Sequence, residues 1–410
     1  MNIYNALIAL ICLSAAFAFI NQKYLKLPFV IGLFVLSTVL SVLVVSAKYW
    51  LHIPIEDIEI AVANAKIDKI ILNVLLGFLL FAGSLHTDWS QVKKQLKAIS
   101  VFAFGGVLLS TVIIAGLLYS LTSAVGLHLD FIYCLLFGAL ISPTDPIAVL
   151  GILKQAKVPK KIETTIVGES LFNDGVGVVV FIALLEILNS GGSDFSLSHF
   201  GLLFIQEAIG GVAIGLAMGY ILHLLLRSID HYETEVLITL AFVMGGYALS
   251  SYLHLSGALA MVIMGLMAGN YRPKESMSDT THEYINKFWE LIDVILNAIL
   301  FILIAFVLIV IDFTFQHILV GIISIFIVLL SRIVVVQLAR MLFSNALDLS
   351  FKEAKIIIWG GLRGGLSLAL VLSLPEGESK EILLISTYFC VLFSIIIQGM
   401  TIAKVAKNNK

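Results

Sequence analysis

Long apolar runs and short polar connections alternate along the whole chain. A helix needs about 20 mostly apolar residues to cross the hydrocarbon core of a bilayer. The pattern predicts thirteen membrane spans, at about 5–21, 28–47, 69–87, 97–121, 131–152, 161–189, 200–227, 233–253, 256–270, 289–312, 316–343, 354–374 and 380–405. The weakest division lies at His254, where two runs are separated by almost nothing. We therefore expect an all-α polytopic protein with a single transmembrane domain over 1–410 and no soluble domain.

Composition supports a membrane protein and excludes several other classes. Hydrophobic residues make up 60% of the chain and charged residues 13%, whereas a soluble domain carries about a quarter charged residues. The net charge of −2 gives no basic footprint for nucleic acid. A GxxxxGK[ST] stretch is absent from the sequence, so we expect no nucleotide, no cofactor and no ATP-driven pumping.

Lysine and arginine concentrate in alternate connections between the predicted spans. They follow spans one, three and five, at residues such as Lys23, Lys93 and Lys160, and they return in the tail at Lys404. Positive loops mark the cytoplasmic side of a membrane protein. The sequence therefore predicts an outside N-terminus and a cytoplasmic C-terminus, and we expect the cell (inner) membrane as the location.

Span five contains the sequence Ser-Pro-Thr-Asp-Pro at 142–146. Pro143 and Pro146 lack the N–H that a helix would use, which leaves the carbonyls of Ala139 and Ser142 without helical partners. An unsatisfied carbonyl costs several kcal/mol in lipid. We expect the helix to break beside a cavity, with Thr144 and Asp145 in the break, although a simple proline kink is the structural alternative.

Span twelve contains a second predicted interruption, around Arg363. Four glycines surround this arginine, at Gly360, Gly361, Gly364 and Gly365. Glycine permits close helix packing, and it also weakens a helix. The two interruptions are seven spans apart and so run in opposite directions, which is typical of inverted repeats whose broken helices cross at an ion site. We expect the first repeat at about 5–189, a linker span at about 200–227 and the second repeat at about 233–405.

Span six supplies intramembrane carboxylates. Ser170 and Asp174 are four residues apart and share one helical face, while Glu169 and Asn173 share a neighbouring face. A buried charge needs a partner, and we expect Glu169 to pair with Arg363. Asp174 has no obvious fixed counter-charge unless Arg332 or Arg340 turns inward.

A carboxylate in this position can hold either a proton or a hard cation. Alkali cations prefer oxygen ligands, by analogy with other hard cations. Asp174, Ser170, Thr144 and the freed carbonyls of span five could supply them. The sequence does not decide between Na⁺, Li⁺ and K⁺.

The TDP break, the GESLFNDG stretch at 168–175 and the GGLRGG stretch at 360–365 together resemble the electroneutral NhaP/NHE branch of the cation/proton antiporters. The resemblance covers the whole membrane domain. It implies a homodimer, a mobile six-helix core, and Asp174 as the residue that binds cation or proton. The Asn173–Asp174 pair implies electroneutral one-for-one exchange, because the branch with two aspartates is electrogenic.

The resemblance also implies residue roles. Thr144 and Ser170 would be cation ligands, Asp145 would balance the helix ends at the crossing, and Glu169, Asn173 and Arg363 would form a structural network. One departure stands out: Ala82 occupies the third-span position where some prokaryotic relatives carry a glutamate, and Ser84 or water is the expected substitute.

A secondary transporter rather than an enzyme is therefore the prediction, with alternating access of Asp174 to the two sides of the bilayer. Two alternatives remain at this point. Asp145 and Asp174 could form an intramembrane aspartyl protease, since two aspartates on adjacent spans can share a proton. A cation channel would use the same residues but would carry current.

Overall fold

The computed structural model describes residues 3–51, 60, 62, 66–145, 153, 158–190, 197–270, 279–311 and 314–408. Every regular element within these residues is helical. Ten helices there are long and apolar enough to cross a membrane, and two shorter apolar helices accompany them. The chain is a multi-pass membrane protein.

Thirteen helical segments correspond one by one to the predicted spans. Their bounds are α1 Ile3–Ile20, α2 Phe29–Leu51, α3 Ile67–Leu85, α4 Leu96–Val125, α5 Phe131–Ile141, α6 Lys160–Asn189, α7 Leu197–Ser228, α8 Tyr232–Tyr252, α9 Gly257–Asn270, α10 Asp279–Phe306, α11 Phe315–Leu342, α12 in two parts Phe351–Trp359 and Gly365–Leu372, and α13 Glu378–Lys407.

The boundaries differ from the prediction where polar residues continue a helix beyond its apolar run. Helix α10 begins ten residues before the predicted start at 289, because its first turns carry His282, Glu283 and Lys287. The division at His254 is confirmed. This residue has a positive φ of 54°, which ends α8 and lets α9 begin at Gly257. Pro146 and the rest of span five, residues 146–152, lie outside the described residues.

Two groups of helices pack mainly within themselves. In the first group, which we call the core, α4 packs on α5 and α11, α5 packs on α6, and α13 packs on α11 and on the second part of α12. In the second group, the scaffold, α2 packs on α10, and α9 packs on α3, α7 and α8. The site described below lies where α5, α6 and α12 of the core face α3 and α10 of the scaffold.

Several helix ends are fixed by residues with ordinary capping chemistry. Ser350 and Glu353 form a reciprocal capping box at the start of α12, which satisfies two backbone donors that have no helical partner. Thr314 Oγ1 accepts a 3.2 Å bond from the His317 amide at the start of α11. Gly126 adopts a left-handed conformation, with φ 78°, at the end of α4. These caps fix the end of α4 and the starts of α11 and α12.

Candidate functional site

The two interrupted helices meet where their chains are extended. Helix α5 ends at Ile141, and α12 is broken between Trp359 and Gly365. The Asp145 amide donates a 2.8 Å hydrogen bond to the Leu362 carbonyl. A backbone donor in the break of span five thus satisfies a backbone acceptor in the break of α12. The predicted interruptions of spans five and twelve therefore lie beside each other.

Glycine is required at this crossing by the closeness of its neighbours. A Cβ atom on Gly364 would collide with the Asp145 carboxylate. One on Gly361 would lie 2.9 Å from Arg332 Nε. At Gly360 a Cβ would lie 2.9 Å from the Ile356 carbonyl, and at Gly365 it would press on Leu300 of α10. The glycines therefore serve close packing as well as the break itself.

The Arg363 side chain bonds to the backbone in the break that follows α5, and it does not pair with an acidic side chain. Its Nη1 donates to the Ser142 carbonyl and, at 2.9 Å, to the Pro143 carbonyl. Its own amide donates to Ser394 Oγ at 2.7 Å, which ties the break to α13. The Ser142 carbonyl had been expected to serve the cation. Arg363 bonds to this carbonyl instead. A buried guanidinium has only donors and needs acceptors, and the broken helix leaves carbonyl oxygens without amide partners.

The expected partnership of Glu169 with Arg363 is wrong. Glu169 forms a bidentate pair with Arg332 of α11, with distances of 2.5 Å from Nη1 to Oε1 and 2.9 Å from Nη2 to Oε2. Arg332 Nη2 also donates to the Ile357 carbonyl at 3.3 Å. The face of α6 that carries Glu169 is turned toward α11, whereas Arg363 lies at the crossing. Glu169, Asn173 and Arg363 therefore do not bond to one another. Glu169 bonds to Arg332, Arg363 to two carbonyls of span five, and Asn173 to Thr144.

Asn173 fixes the residue at the centre of the break. Its Nδ2 donates to Thr144 Oγ1 at 2.9 Å, and its Oδ1 accepts from the Thr144 amide at 3.2 Å. Ser170 lies on the other side of Thr144: the two hydroxyl oxygens are 3.1 Å apart, and Ser170 Oγ donates to the Thr144 carbonyl. Asn173 and Ser170 thus hold Thr144 in one position from two directions.

Asp174 is half-buried and faces a cavity of about 610 Å³. Pro143, Thr144, Asp145 and Gly364 line the same cavity. Among the described residues we find no hydrogen bond or ion pair to the Asp174 carboxylate, and its charged neighbour is Asp145, which repels it. Arg332 does turn inward, but toward Glu169. Asp174 is therefore the acidic group at the crossing without a compensating cation in the described structure.

The cavity reaches the protein surface between α3 and α6. Its outer part is lined by His86, Asp88 and Gln91, which follow α3, and by Lys160, which begins α6. His86 and Asp88 are exposed. A hydrogen bond from Ser90 keeps the pKa of Asp88 below its ordinary value, so the carboxylate at this mouth is anionic. The path from Asp174 therefore ends at the face that carries the lysines of the 86–96 connection.

Two further acids in this cavity were missed by the sequence analysis. Glu290 and Asp293 line it from α10, on the scaffold side. Both fall inside the predicted tenth span, and a charged residue within a span is itself a functional signal. The two acids were overlooked because the surrounding residues form a long apolar run. They also belong to no recognisable motif that would indicate a position in the cavity.

The expected substitute for the third-span acid does not reach the site. Ala82 is fully buried. Ser84 donates to the Phe81 carbonyl at 2.9 Å within its own helix and lies against Gly265 of α9. Neither residue is among those that line the cavity. Helix α3 contributes Leu79, Leu80 and Gly83 there instead.

Chemically, the site offers the Asp174 carboxylate, which faces the cavity, with other oxygen-bearing side chains along the same walls. Hard cations are bound by such oxygens, and a proton can replace them on the carboxylate. Groups of three or more His, Cys, Asp or Glu that could hold a metal ion are not found in the described part of the chain.

Comparison with known proteins places these features in a family. Residues 7–408 match the family described as "Sodium/hydrogen exchanger, transmembrane". The chain is 44% identical over 405 residues to the Na⁺/H⁺ antiporter NhaP of Pseudomonas aeruginosa, a match that covers 97% of this chain and 95% of the relative. It is 36% identical over 360 residues to the Na⁺/H⁺ antiporter NhaH of Halobacillus dabanensis, covering 86% of each.

A solved structure shows the same fold. The sodium proton antiporter MjNhaP1 of Methanocaldococcus jannaschii superimposes with a TM-score of 0.76 at 21% sequence identity, over 98% of this chain and 97% of that one. At this identity the likeness concerns the fold alone. The expected NhaP-like architecture is confirmed.

Proposed function

Because the chain belongs to the sodium/hydrogen exchanger family, we propose that it exchanges Na⁺ for H⁺ across a membrane, with Asp174 as the shared binding residue. The observation that carries this proposal is the exposure of the Asp174 carboxylate to a water-accessible cavity beside the crossing, without a cationic partner in the described structure. Two antiporters with high identity over most of the chain support Na⁺ and H⁺ as the substrates.

In the proposed cycle, Asp174 binds either a cation or a proton, and the loaded site is then exposed to the other side of the bilayer. Moving the empty, charged carboxylate through an apolar barrier is expensive, so unloaded return is suppressed and the two fluxes are coupled. One charge neutralised by one monovalent cation gives electroneutral one-for-one exchange. Thr144 and Ser170 would complete the cation shell, and Asp145 would balance the N-terminus of the second part of α12.

The division into core and scaffold suggests which parts move. The core carries Asp174 and both broken helices, and it meets the scaffold across the cavity. We propose that the core moves against the scaffold, that the scaffold forms a homodimer, and that the inverted repeats at about 5–189 and 233–405 provide the symmetry for two equivalent end states. The face to which the cavity opens would be cytoplasmic, because Lys93, Lys94 and Lys160 lie there.

Transport without peptide cleavage distinguishes this proposal from the protease alternative. Asp145 and Asp174 do line one cavity, as a protease would require. The family to which the chain belongs is one of transporters, and this favours exchange. A channel would be recognised by current through an open pore.

The experiment is flux in proteoliposomes that contain the purified chain. Outward gradients of Na⁺, Li⁺ or K⁺ are imposed and internal pH is followed, with membrane potential fixed by K⁺ and valinomycin in the Na⁺ and Li⁺ series. We expect Na⁺-driven proton movement at a rate that does not change between 0 and about −100 mV. A potential that alone drove proton or Na⁺ movement would contradict electroneutral exchange, and the absence of any cation-driven proton flux would contradict the function.

A further inference from the structure

The break in α12 separates two backbone groups that a continuous helix would join. In an α-helix each amide bonds to the carbonyl four residues earlier, so the Arg363 amide would bond to the Trp359 carbonyl. The first part of α12 instead ends at Trp359, and the second part begins at Gly365. A buried backbone donor or acceptor without a partner is costly. Both groups therefore need partners from outside their own helix.

Two side chains of α13 replace the missing hydrogen bond. The Arg363 amide donates to Ser394 Oγ at 2.7 Å. Ser394 Oγ donates in turn to Gln398 Oε1 at 2.8 Å, and Gln398 Nε2 donates to the Trp359 carbonyl at 3.3 Å. Three successive hydrogen bonds thus connect the amide to the carbonyl that it would contact directly in a helix. We call Ser394 and Gln398 the bridge.

The chemistry and burial of the bridge fit this role. A serine hydroxyl and a primary amide can each donate and accept, so together they pass the hydrogen bond from one end of the break to the other. Ser394 is 1% exposed and Gln398 is 3% exposed, so water does not compete for these bonds. Neither side chain lines the cavity that Asp174 faces. The bridge can therefore influence the site only through the backbone of α12.

The residues inside the break of α12 hold Thr144 from both of its peptide groups. Arg363 Nη1 donates to the Pro143 carbonyl at 2.9 Å, which belongs to the peptide before Thr144. The Leu362 carbonyl accepts from the Asp145 amide at 2.8 Å, which belongs to the peptide after it. The position of Leu362 and Arg363 therefore sets the position of Thr144.

The bridge decides where these two residues lie. Without it, the Arg363 amide and the Trp359 carbonyl would both be unsatisfied, and a direct bond between them would wind α12 through the break. Winding would also turn the Leu362 carbonyl along the helix axis, toward the amide four residues later. Both contacts with span five would then be lost.

We propose that Ser394 and Gln398 are positioning residues for cation binding. By replacing one helical hydrogen bond they hold the break of α12 open, and through Leu362 and Arg363 they fix the chain at Thr144. This inference rests on the exchange function proposed above. Neither residue touches the cation, so loss of the bridge should lower the Na⁺ affinity of the folded protein.

The first experiment measures the apparent KM for Na⁺ in proteoliposomes that contain the wild type, Ser394→Ala, Gln398→Met, the double variant or the control Ser386→Ala. Ser386 is a fully buried serine of the same helix, and its hydroxyl has no partner in the described part of the chain. We expect each single variant of the bridge to raise KM about three- to tenfold, which is the effect of about one lost hydrogen bond, and the control to change KM less than about twofold. A merely structural role would lower the maximal rate and leave KM unchanged, because KM does not depend on the amount of folded protein.

The double variant tests whether the two residues act as one unit. Either single substitution interrupts the same chain of hydrogen bonds, so the double variant should raise KM no further than the more severe single variant. A KM that rises by the product of the two single effects would overturn the proposal. A KM of both single variants that equals that of Ser386→Ala would also overturn it. If the wild type itself shows no exchange, the proposed function fails, which is a different result.

Gln398→Glu tests the hydrogen bonds themselves with a side chain of the same shape. A protonated carboxyl group has one acceptor and one donor, as the amide does, whereas a carboxylate has no donor for the Trp359 carbonyl. The KM of this variant is divided by the wild-type KM at the same pH, which removes the effect of proton competition at Asp174. We expect a ratio close to one at acid pH that rises toward the ratio of Gln398→Met at alkaline pH.

A ratio close to one at every pH, beside a raised ratio in Gln398→Met, would also support the bridge, because the buried acid would then stay protonated. A ratio at acid pH as high as that of Gln398→Met would overturn the proposal, since restoring the donor and the acceptor would have restored nothing.

Discussion

Arg332 and Glu169 form a bidentate ion pair inside the helical bundle, with side-chain exposures of 6% and 2%. The pair links α11 to α6, the helix that carries Asp174. Breaking a buried pair leaves one charge without compensation, which typically costs about 3–5 kcal/mol. We therefore regard this pair as structural: it fixes α6 in the core without occupying the cation site.

A double-mutant cycle tests that role. Arg332→Met or Glu169→Leu alone should lower the detergent melting temperature strongly, because each leaves a buried charge unpaired. Arg332→Met in the Glu169→Leu background should recover much of the loss, since two apolar side chains of similar volume replace the pair. Thermal unfolding of all four proteins measures the coupling.

Arg363 provides the matched control for the same cycle. Its guanidinium bonds to the carbonyls of Ser142 and Pro143 rather than to Glu169. Arg363→Met in the Glu169→Leu background should therefore add its own destabilisation without any recovery. Recovery by Arg363→Met and not by Arg332→Met would show that the ion pair is assigned to the wrong arginine.

Gly364→Ala should abolish most transport with little loss of folding. The added methyl group would collide with the Asp145 carboxylate at the crossing, and misplacement of a binding group by about 1 Å can cost on the order of 100-fold in rate. Gly105→Ala is the control, because a Cβ there meets nothing within 4 Å. Initial rates of Na⁺-driven proton flux, normalised to folded protein, provide the comparison. Rates that match for the two variants would mean that the close approach at the crossing is unimportant.

Asn173→Ala should weaken cation binding indirectly, through Thr144. The variant removes two hydrogen bonds that position this residue, and each such bond contributes about 0.5–1.5 kcal/mol. We expect an apparent KM for Na⁺ that is roughly 5- to 150-fold higher. Thr144→Ser, which keeps the hydroxyl, should behave almost as the wild type, whereas Thr144→Val should resemble Asn173→Ala. An unchanged KM in both Asn173→Ala and Thr144→Val would remove Thr144 from the cation shell.

Competition at one carboxylate makes a prediction about pH. If Na⁺ and H⁺ exclude each other from Asp174, lowering the pH should raise the apparent KM for Na⁺ while high Na⁺ restores the same maximal rate. Where the site is mostly protonated, each pH unit should change KM about tenfold, which is the effect of a tenfold change in proton concentration on one competitive site. Flux measured against Na⁺ at several symmetrical pH values tests this, and a maximal rate that falls at low pH despite saturating Na⁺ would contradict simple competition.

Much of the fold could be predicted because its signals are local. Apolar runs of spanning length predicted all thirteen segments, and Pro143 with the four glycines around Arg363 predicted where two helices break. These features follow from covalent structure: proline lacks an N–H, and glycine allows close backbone approach. The start of α10 at Asp279 was missed because a helix that extends beyond the bilayer has no apolar signal.

The sequence could not predict in the same way which side chains pair with each other, or which residues of a span reach the cavity. Helical spacing places Glu169 on a face of α6, but it does not say whether Arg332 or Arg363 lies opposite. Asp293 was missed for a related reason, since its relation to the crossing depends on how α10 packs against the core. Both are consequences of tertiary packing between segments more than a hundred residues apart in sequence, which periodicity alone does not encode.

The central claim is that Asp174 alternates between cation and proton. The most direct measurement is Na⁺-driven proton flux in proteoliposomes that contain Asp174→Asn, beside the wild type and Glu283→Gln, with folding verified by gel filtration and melting temperature. Glu283 is an exposed acid that pairs with Lys287, so its neutralisation serves as the control. We predict exchange in the wild type and in Glu283→Gln, and none in folded Asp174→Asn, because the amide can neither release a proton nor neutralise a cation. Undiminished Na⁺-driven proton flux in folded Asp174→Asn would contradict the account.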